Sequence, residues 1–515
     1  MEAFPTTSPS TGATLSTIDP TPEAEVAALV AKAREAQSAW AEMPVQKRVK
    51  TVARVKQRIL ARAEEIGRLV HDEVGKPEVE ALLGEVLASA DVVSYWAEIV
   101  PDELDPFEAD IDALSYPAKT GWIHREPRGV VAMIMPWNFP FALPLRTIIP
   151  ALMAGNAIVL KPSEHSPRTG KIIADLFEGI IPSGLLAIVQ GAGDAGAALC
   201  AADVDLVVFT GSPASGRKVA HACAEKLIPC ALELGGKDAA IVLADADLER
   251  AANGIVWGAM MNAGQNCGAV ERVYVVKDAA KALTEKIVAK TKELRVGADV
   301  GSLTTEAQRA IVAKHVEAAK AAGGEILTGG KTAEADGAKL AYEPTVVKID
   351  AEESPLLAEE TFGPVVPITE VADEAEAVKR ANASRYGLTA SIWTKNVAHA
   401  EKLAKKLRAG VVTINTHSFT GALPSAPWGG VGESGWGITG SPLALEHLTR
   451  PRFVLVDRNR APKETWWFPY TDTLRALALA FAAVRGGAAS LGARIGAVFR
   501  VISLLPKRMG ELKKK

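Results

Sequence analysis

The sequence predicts an α/β fold made of two doubly wound parallel-sheet domains, and three observations lead there. Short apolar runs recur along the chain, each closed by a glycine or proline turn and followed by a helical segment, which is the pattern of a parallel sheet wrapped by helices. The pattern starts over after Gly236, so two sheets are expected. At 515 residues the chain is too long for one core, and 48% apolar residues, 23% charged residues and 43 glycines suit a globular α/β protein.

Taken in order, Met1 to Pro22 is rich in Pro, Thr and Ser, with neither a basic start nor an apolar core, so no signal peptide is expected. From Pro22 to about Trp96, alanines and charges such as Lys32, Arg34 and Glu35 interleave with apolar positions, which predicts helices. A β-rich stretch runs from Gly121 through Val130 to Met135. Strands are then predicted over residues 157–160, 185–189 and 206–209, and after Gly236 over residues 239–243, 273–276 and 411–414. No apolar run approaches the roughly 18 residues of a membrane-spanning helix. The net charge of −3 gives no electrostatic reason for a nucleic-acid partner. The four cysteines, Cys200, Cys223, Cys230 and Cys267, form no C-x-x-C pair and no ligand cluster accompanies them. Neither a disulfide framework nor a metal site is therefore expected, and reduced thiols suit a cytoplasmic location.

Two residues carry most of the chemistry. Glu233 heads Glu233-Leu234-Gly235-Gly236-Lys237, and Cys267 follows 34 positions later within Asn262-Ala263-Gly264-Gln265-Asn266-Cys267-Gly268. A thiolate attacks electrophilic carbon and a carboxylate takes a proton from water, so the pair suits a thioester that is formed and then hydrolysed. Taken singly, a cysteine is more often a small buried hydrophobe. A dinucleotide could bind at either of two glycine loops. Gly191-Ala192-Gly193-Asp194-Ala195-Gly196 matches G-x-G-x-x-G but lacks a following acidic strand end. Phe209-Thr210-Gly211-Ser212-Pro213-Ala214-Ser215-Gly216 is the better candidate, because its backbone N–H groups and Ser212 would open a helix toward a pyrophosphate. Lys161-Pro162-Ser163-Glu164 offers a donor and an acceptor to ribose hydroxyls, or is a solvated pair at a strand end.

These motifs, with Pro136-Trp137-Asn138-Phe139-Pro140 and Glu359-Glu360-Thr361-Phe362-Gly363-Pro364, resemble in order and spacing those of the aldehyde dehydrogenase superfamily, over residues 20 to 455. The resemblance implies two Rossmann-type domains plus a small β oligomerisation arm. Residues 1–111 and 129–235 would form the dinucleotide-binding domain and 236–440 the catalytic domain. Residues 112–128 and 441–460 would form the arm and 461–515 a helical extension. It implies a nucleophile at Cys267, a general base at Glu233, and an oxyanion hole from the Asn138 amide and the Cys267 N–H. It places Lys161 and Glu164 at the adenosine ribose, Ser212 with Gly211 at the pyrophosphate, and Glu360 and Phe362, with Trp137 and Gly235, at the nicotinamide end. A carboxylate at Glu164 favours NAD over NADP, which remains the alternative. The presence of Glu233 implies a free acid as product, since the CoA-acylating branch generally lacks that base. A homodimer or homotetramer is expected. Rival readings are a non-catalytic NAD-binding scaffold and a cofactor-free thiol hydrolase. The second usually pairs cysteine with histidine, and none of the eight histidines lies near either motif in sequence.

For the substrate two readings stay open. Arg146 stands where succinic semialdehyde dehydrogenases can carry a carboxylate-binding arginine, and a guanidinium fork suits that task. Their second arginine is replaced by Met261. Phe141, Met260, Met261 and Phe419 fit an apolar tunnel for aliphatic or aromatic aldehydes equally well. The tail departs from the family pattern. Trp466-Trp467-Phe468-Pro469-Tyr470 precedes a helix in which Leu491, Ile495, Val498, Ile502 and Leu505 form one stripe, with Arg500 and Lys507 opposite. From Leu474 onward nine basic residues face Glu511 alone. Such a helix covers a partner subunit or the substrate entrance, or lies peripherally at a membrane surface.

Overall fold

The structure, a computed structural model, describes residues 3–113, 115–417, 420–487 and 490–513. Residues Met1–Pro106 and His124–Arg452 form one compact unit, and Phe107–Ile123 with Phe453–Lys515 form another.

The larger unit holds two sheets. In the first, the parallel strands run in the order Cys230–Glu233, Leu206–Thr210, Val130–Ile134, Ala157–Lys161 and Leu186–Ile188. Gly435–Trp436 adds an antiparallel edge beside Cys230–Glu233. The central strands Val130–Ile134 and Ala157–Lys161 are buried along their whole length, as expected where helices cover both faces of a sheet. The helices before this sheet, from Glu23–Glu42 to Ala88–Glu103, occupy the predicted stretch and run seven residues past Trp96, and they include one π-helical turn at Leu82–Leu87.

The second sheet has the order Glu325–Thr328, Thr345–Lys348, Val365–Val371, Val270–Val276, Asp238–Val242, Thr389–Trp393 and Val411–Ile414. All its pairings are parallel except that of Glu325–Thr328. The predicted strands of both sheets are present with ends shifted by a few residues. Four strands of the second sheet, Glu325–Thr328, Thr345–Lys348, Val365–Val371 and Thr389–Trp393, had not been singled out, nor had Cys230–Glu233, whose last residue is the candidate base. Residues before Pro22 form a hairpin of Phe4–Thr7 and Thr14–Ile18.

In the smaller unit, Phe107–Glu108 pairs with the strand Lys119–Pro127, and Thr449–Asp457 completes a three-stranded sheet as its edge. Helices Asp472–Ala482 and Leu491–Lys513 follow and pack on each other. Among the described residues no helix is long and apolar enough to cross a membrane, and no cluster of His, Cys, Asp and Glu could hold a metal ion.

Candidate active site

Cys267 is presented by a kink. The helix Leu248–Met260 ends, and Asn262, Ala263 and Gly264 then take left-handed backbone angles (φ 54°, 52° and 73°). Only a glycine fits at Gly264, because a side chain there would stand 2.1 Å from the Gly363 carbonyl oxygen. Side chains lock the kink. Asn262 donates from its amide to the carbonyls of Asn138 (2.9 Å) and Gln265 (3.0 Å), while its N–H donates to Glu80 (2.9 Å). The Asn138 amide also donates to the Gln265 carbonyl (3.1 Å), which places it two residues from the candidate nucleophile. Beneath Asn138 lies a buried ion pair, in which Lys76 donates to Glu85 (2.6 Å) and to the Asn138 carbonyl (2.7 Å). Glu85 in turn accepts the N–H groups of Phe141 and Ala142 (2.9 Å each).

Glu233 ends its strand and is buried. Thr439 donates to its carboxylate in a short hydrogen bond. Burial holds the Glu233 carboxyl above its ordinary range, opposed by Thr439 and by the charge of Arg146. The Cys267 thiol is pushed well up by burial and then by the neighbouring Glu233 and Glu360 carboxyls. Both groups therefore rest in their protonated forms more readily than in water.

Arg146 lies close to both, and its guanidinium feels the charges of Glu233 and Cys267. Its terminal nitrogens donate to the backbone carbonyls of Gly421, Leu423 (3.4 Å) and Ala426 (3.2 Å). It packs against Gly440, where any side chain would meet the guanidinium at 2.3 Å. Nε, also buried, has no partner among the described residues. The fork is thus occupied by the 421–426 segment that roofs the cavity described below.

The cofactor-side residues fall into two groups. At the nicotinamide end, the rings of Trp137 and Phe362 meet edge to face at 5.7 Å. Glu360 accepts the Gly236 N–H (3.0 Å) and lies over Gly235, and burial together with Glu271 holds its carboxyl above the usual range. At the other end, the Lys161 ammonium donates to the carbonyls of Pro162 and Gly191 (2.8 Å each) and stands 3.7 Å from Glu164. Lys161 therefore bridges the KPSE loop to the first of the two glycine loops. Ser212 caps the helix Pro213–Lys226 by accepting the Ser215 N–H (3.3 Å), and the Gly211 N–H donates to the Glu233 carbonyl (3.0 Å).

A cavity of about 490 Å³ runs down to Cys267. Leu83, Leu87, Phe139, Leu143, Trp257 and Met261 make much of its wall apolar, while Lys76, Glu80, Ser89, Asp91, Arg146, Asn262 and Asn266 also line it. Glu80 is pushed up to about 7 by burial, against the pull of Lys76. Leu83 and Leu87 belong to the π-helical turn, and such bulges are frequent at functional sites. Ala142, Leu143 and Arg146 reach the cavity from one face of the helix Ala142–Ala154, and Phe139 from the bend just before it. Phe141 falls on the opposite face and is wholly buried in the core with Leu145 and Ile148, so it does not line the cavity as expected. Met260 is buried in the core of the second sheet, and Phe419 lies outside the described residues.

Sequence reasoning missed four contributors that come from distant segments. Glu271, buried, accepts the N–H groups of Thr361 and Phe362 (2.8 Å each) and pairs with Lys237 (2.5 Å), which fixes the Glu360–Phe362 loop. Thr439 and the pair Lys76–Glu85 act as described above. No histidine lies near either motif in sequence, but the fold brings one beside the nucleophile. His417, buried, donates from Nε2 to the Gly268 carbonyl (3.0 Å), and burial pushes it down to about 4. It is a neutral imidazole hydrogen-bonded to backbone, and its buried Nδ1 has no partner among the described residues. No sequence pattern ties position 417 to 268, so only the fold could reveal it.

Comparison with known proteins gives a consistent picture. The sequence model of the aldehyde dehydrogenase family matches residues 1–454. A 4,4'-diapolycopene aldehyde oxidase from a Methylomonas species is 39% identical over 449 residues, covering 85% of this chain and 83% of its own. A Mycobacterium tuberculosis protein provisionally named as an NADP-dependent succinate-semialdehyde dehydrogenase is 37% identical over 458 residues, 87% of each chain. PnpE from Pseudomonas sp. WBC-3, solved in complex with nicotinamide adenine dinucleotide, superposes with a TM-score of 0.86 at 33% identity, covering 90% of this chain and 96% of that one.

Proposed function

The chain belongs to the aldehyde dehydrogenase family, oxidoreductases that act on the aldehyde group, and from that premise we propose that it oxidises long, apolar aldehydes to free carboxylic acids with NAD. The cavity carries this reading: largely apolar walls lead to Cys267, and the one arginine that could anchor a substrate carboxylate is occupied by backbone carbonyls. The Methylomonas relative is named for the aldehyde of 4,4'-diapolycopene. Succinic semialdehyde is the second reading, favoured by the name of the mycobacterial relative and disfavoured by the absence of a free guanidinium fork.

The residues present fit a dinucleotide. The Trp137–Phe362 edge and Glu360 would hold its nicotinamide end, Ser212 at a helix N-terminus its phosphates, and Lys161 with Glu164 its adenosine ribose. The Glu164 carboxylate favours a free ribose hydroxyl over a phosphate, hence NAD. When bound, the cofactor supplies a hydride acceptor.

The chain's own groups perform the rest. Cys267 loses its proton to solvent, and the thiolate bonds to the aldehyde carbon. The second N–H of the Asn138 amide and the backbone N–H of Cys267 hold the developing oxyanion. Loss of hydride leaves a thioester on Cys267. Glu233 then takes a proton from water, which attacks the thioester and releases the acid and the thiol. The edge strand Thr449–Asp457, with Phe453 to Val456 exposed in succession, would pair with a second copy and make the protein a dimer at least. Steady-state formation of reduced cofactor with decanal and with succinic semialdehyde, each with NAD and NADP, tests the reading. A higher kcat/KM for decanal with NAD is expected, and a preference for succinic semialdehyde would overturn the substrate class.

A further inference from the structure

The reaction uses one of the four cysteines, and the fold gathers the other three beside the first sheet. Cys200 lies in the last turn of helix Gly193–Ala201, Cys223 in the last turn of helix Pro213–Lys226, and Cys230 opens the strand Cys230–Glu233. All three are free thiols. A tight turn joins the last two. Leu227 takes a left-handed backbone (φ 55°), and the Ile228 N–H donates back to the Cys223 carbonyl (3.1 Å). This closes the helix in a Schellman motif and starts the strand beside the helix's last turn. The Lys226 ammonium donates to the carbonyls of Cys200 and Ala201 (3.3 Å each), which seats the neighbouring helix against the same turn. Trp436, on the adjoining edge strand, donates from its indole N–H to the Cys230 carbonyl (3.1 Å).

Within this cluster the thiols differ. Cys223 and Cys230 are hydrogen-bonded to each other through their sulfurs. Cys223 is buried, whereas Cys230 is only half-buried. The shared hydrogen bond draws Cys230 down to about 7, against burial and with help from the Trp436 indole, and it pushes Cys223 up. Cys200, buried, is pushed up to about 11 by burial. The more accessible sulfur of the pair is thus the one that carries negative charge near neutral pH, and its buried neighbour keeps the proton.

We propose that Cys223 and Cys230 form a dithiol that peroxides oxidise to a reversible disulfide, a modification site separate from Cys267. The Cys230 thiolate attacks one peroxide oxygen and the O–O bond breaks. Hydroxide leaves, takes up a proton as water, and Cys230 becomes a sulfenic acid. The Cys223 sulfur then attacks the Cys230 sulfur, the S–O bond breaks, and a second water carries away the Cys223 proton. Two thiols and one peroxide give one disulfide and two waters. A disulfide that forms only under oxidant suits a chain whose cysteines are otherwise reduced. The bond would lie about 16 Å along the helix from Ser212 and about 10 Å along the strand from Glu233, so the reacting groups are left in place. The pair stands apart from the substrate assignment.

Peptide mapping of the full chain tests it, after treatment with hydrogen peroxide, removal of the excess with catalase and alkylation in denaturant. Trypsin cleaves after Lys226, between the two cysteines, so their disulfide joins two peptides that dithiothreitol separates. The expected result is a Cys223–Cys230 cross-link, with Cys200 recovered as an alkylated thiol. Cys223→Ser removes the resolving sulfur, and with dimedone present it should give a sulfenic-acid adduct on Cys230 that the wild type lacks. Because Cys223 lies outside the active site, this variant should oxidise hexanal at the wild-type rate, which shows that it folds. Recovery of Cys223 and Cys230 as alkylated thiols after a large excess of peroxide would overturn the proposal. So would a cross-link that joins either of them to Cys200, or wild type in which Cys230 passes to the sulfinic acid without cross-linking. A folded Cys223→Ser variant without the dimedone adduct would overturn it as well.

Discussion

Cys267 is held as a thiol by its surroundings before it reacts, and the same surroundings hold Glu233 toward its protonated form. Arg146 is the cation that opposes both effects. Removing it disfavours the two ionised forms, so Arg146→Met is expected to shift the rising limb of the kcat/KM–pH profile to higher pH. It should lower activity on decanal and succinic semialdehyde in equal proportion. A loss confined to KM for succinic semialdehyde would make Arg146 a substrate anchor instead. Asn138→Ala removes one oxyanion donor and is expected to lower kcat by about 10²–10³ with KM little changed. Both catalytic candidates and Asn138 were legible in the sequence, because the glycines and amides around them are local. Thr439 and His417 were not, because they reach Glu233 and Gly268 from more than a hundred residues away.

At the level of elements, the strand-turn-helix alternation was legible because buried parallel strands are uninterrupted apolar runs, as at Ala157–Lys161. Strands with mixed composition, such as Glu325–Thr328 and Thr345–Lys348, gave no such signal. The packing that holds the oxyanion loop was also invisible, since it depends on Lys76 and Glu85 meeting beneath Asn138. Lys76→Met leaves the Glu85 carboxylate buried without its cation and is expected to cost about 3–5 kcal/mol in urea denaturation. A change below about 1 kcal/mol would show that the pair is dispensable to the fold. Glu85→Gln, which keeps an acceptor for the Phe141 and Ala142 N–H groups, should cost less.

The whole molecule carries a set of buried carboxyls that favour their protonated forms. Glu73 and Glu80 are pushed up to about 7 and Asp238 to about 8, each first by burial. A carboxyl raised on folding stabilises fully below its unfolded value and loses that contribution as pH rises through its folded value. The buried histidines, lowered by burial, act in the opposite sense only up to about 6.5. The unfolding midpoint is therefore expected to fall between pH 6.5 and 8, and a rise over that window would contradict the burial of these groups as ionisable acids. The central claim is a thioester on Cys267 that Glu233 resolves. Its most direct test is intact-mass analysis, with peptide mapping, of Glu233→Gln after incubation with decanal and NAD. The expected result is one burst of reduced cofactor and a decanoyl adduct on Cys267, because deacylation has lost its base. Undiminished steady turnover with no adduct on Cys267 would contradict it.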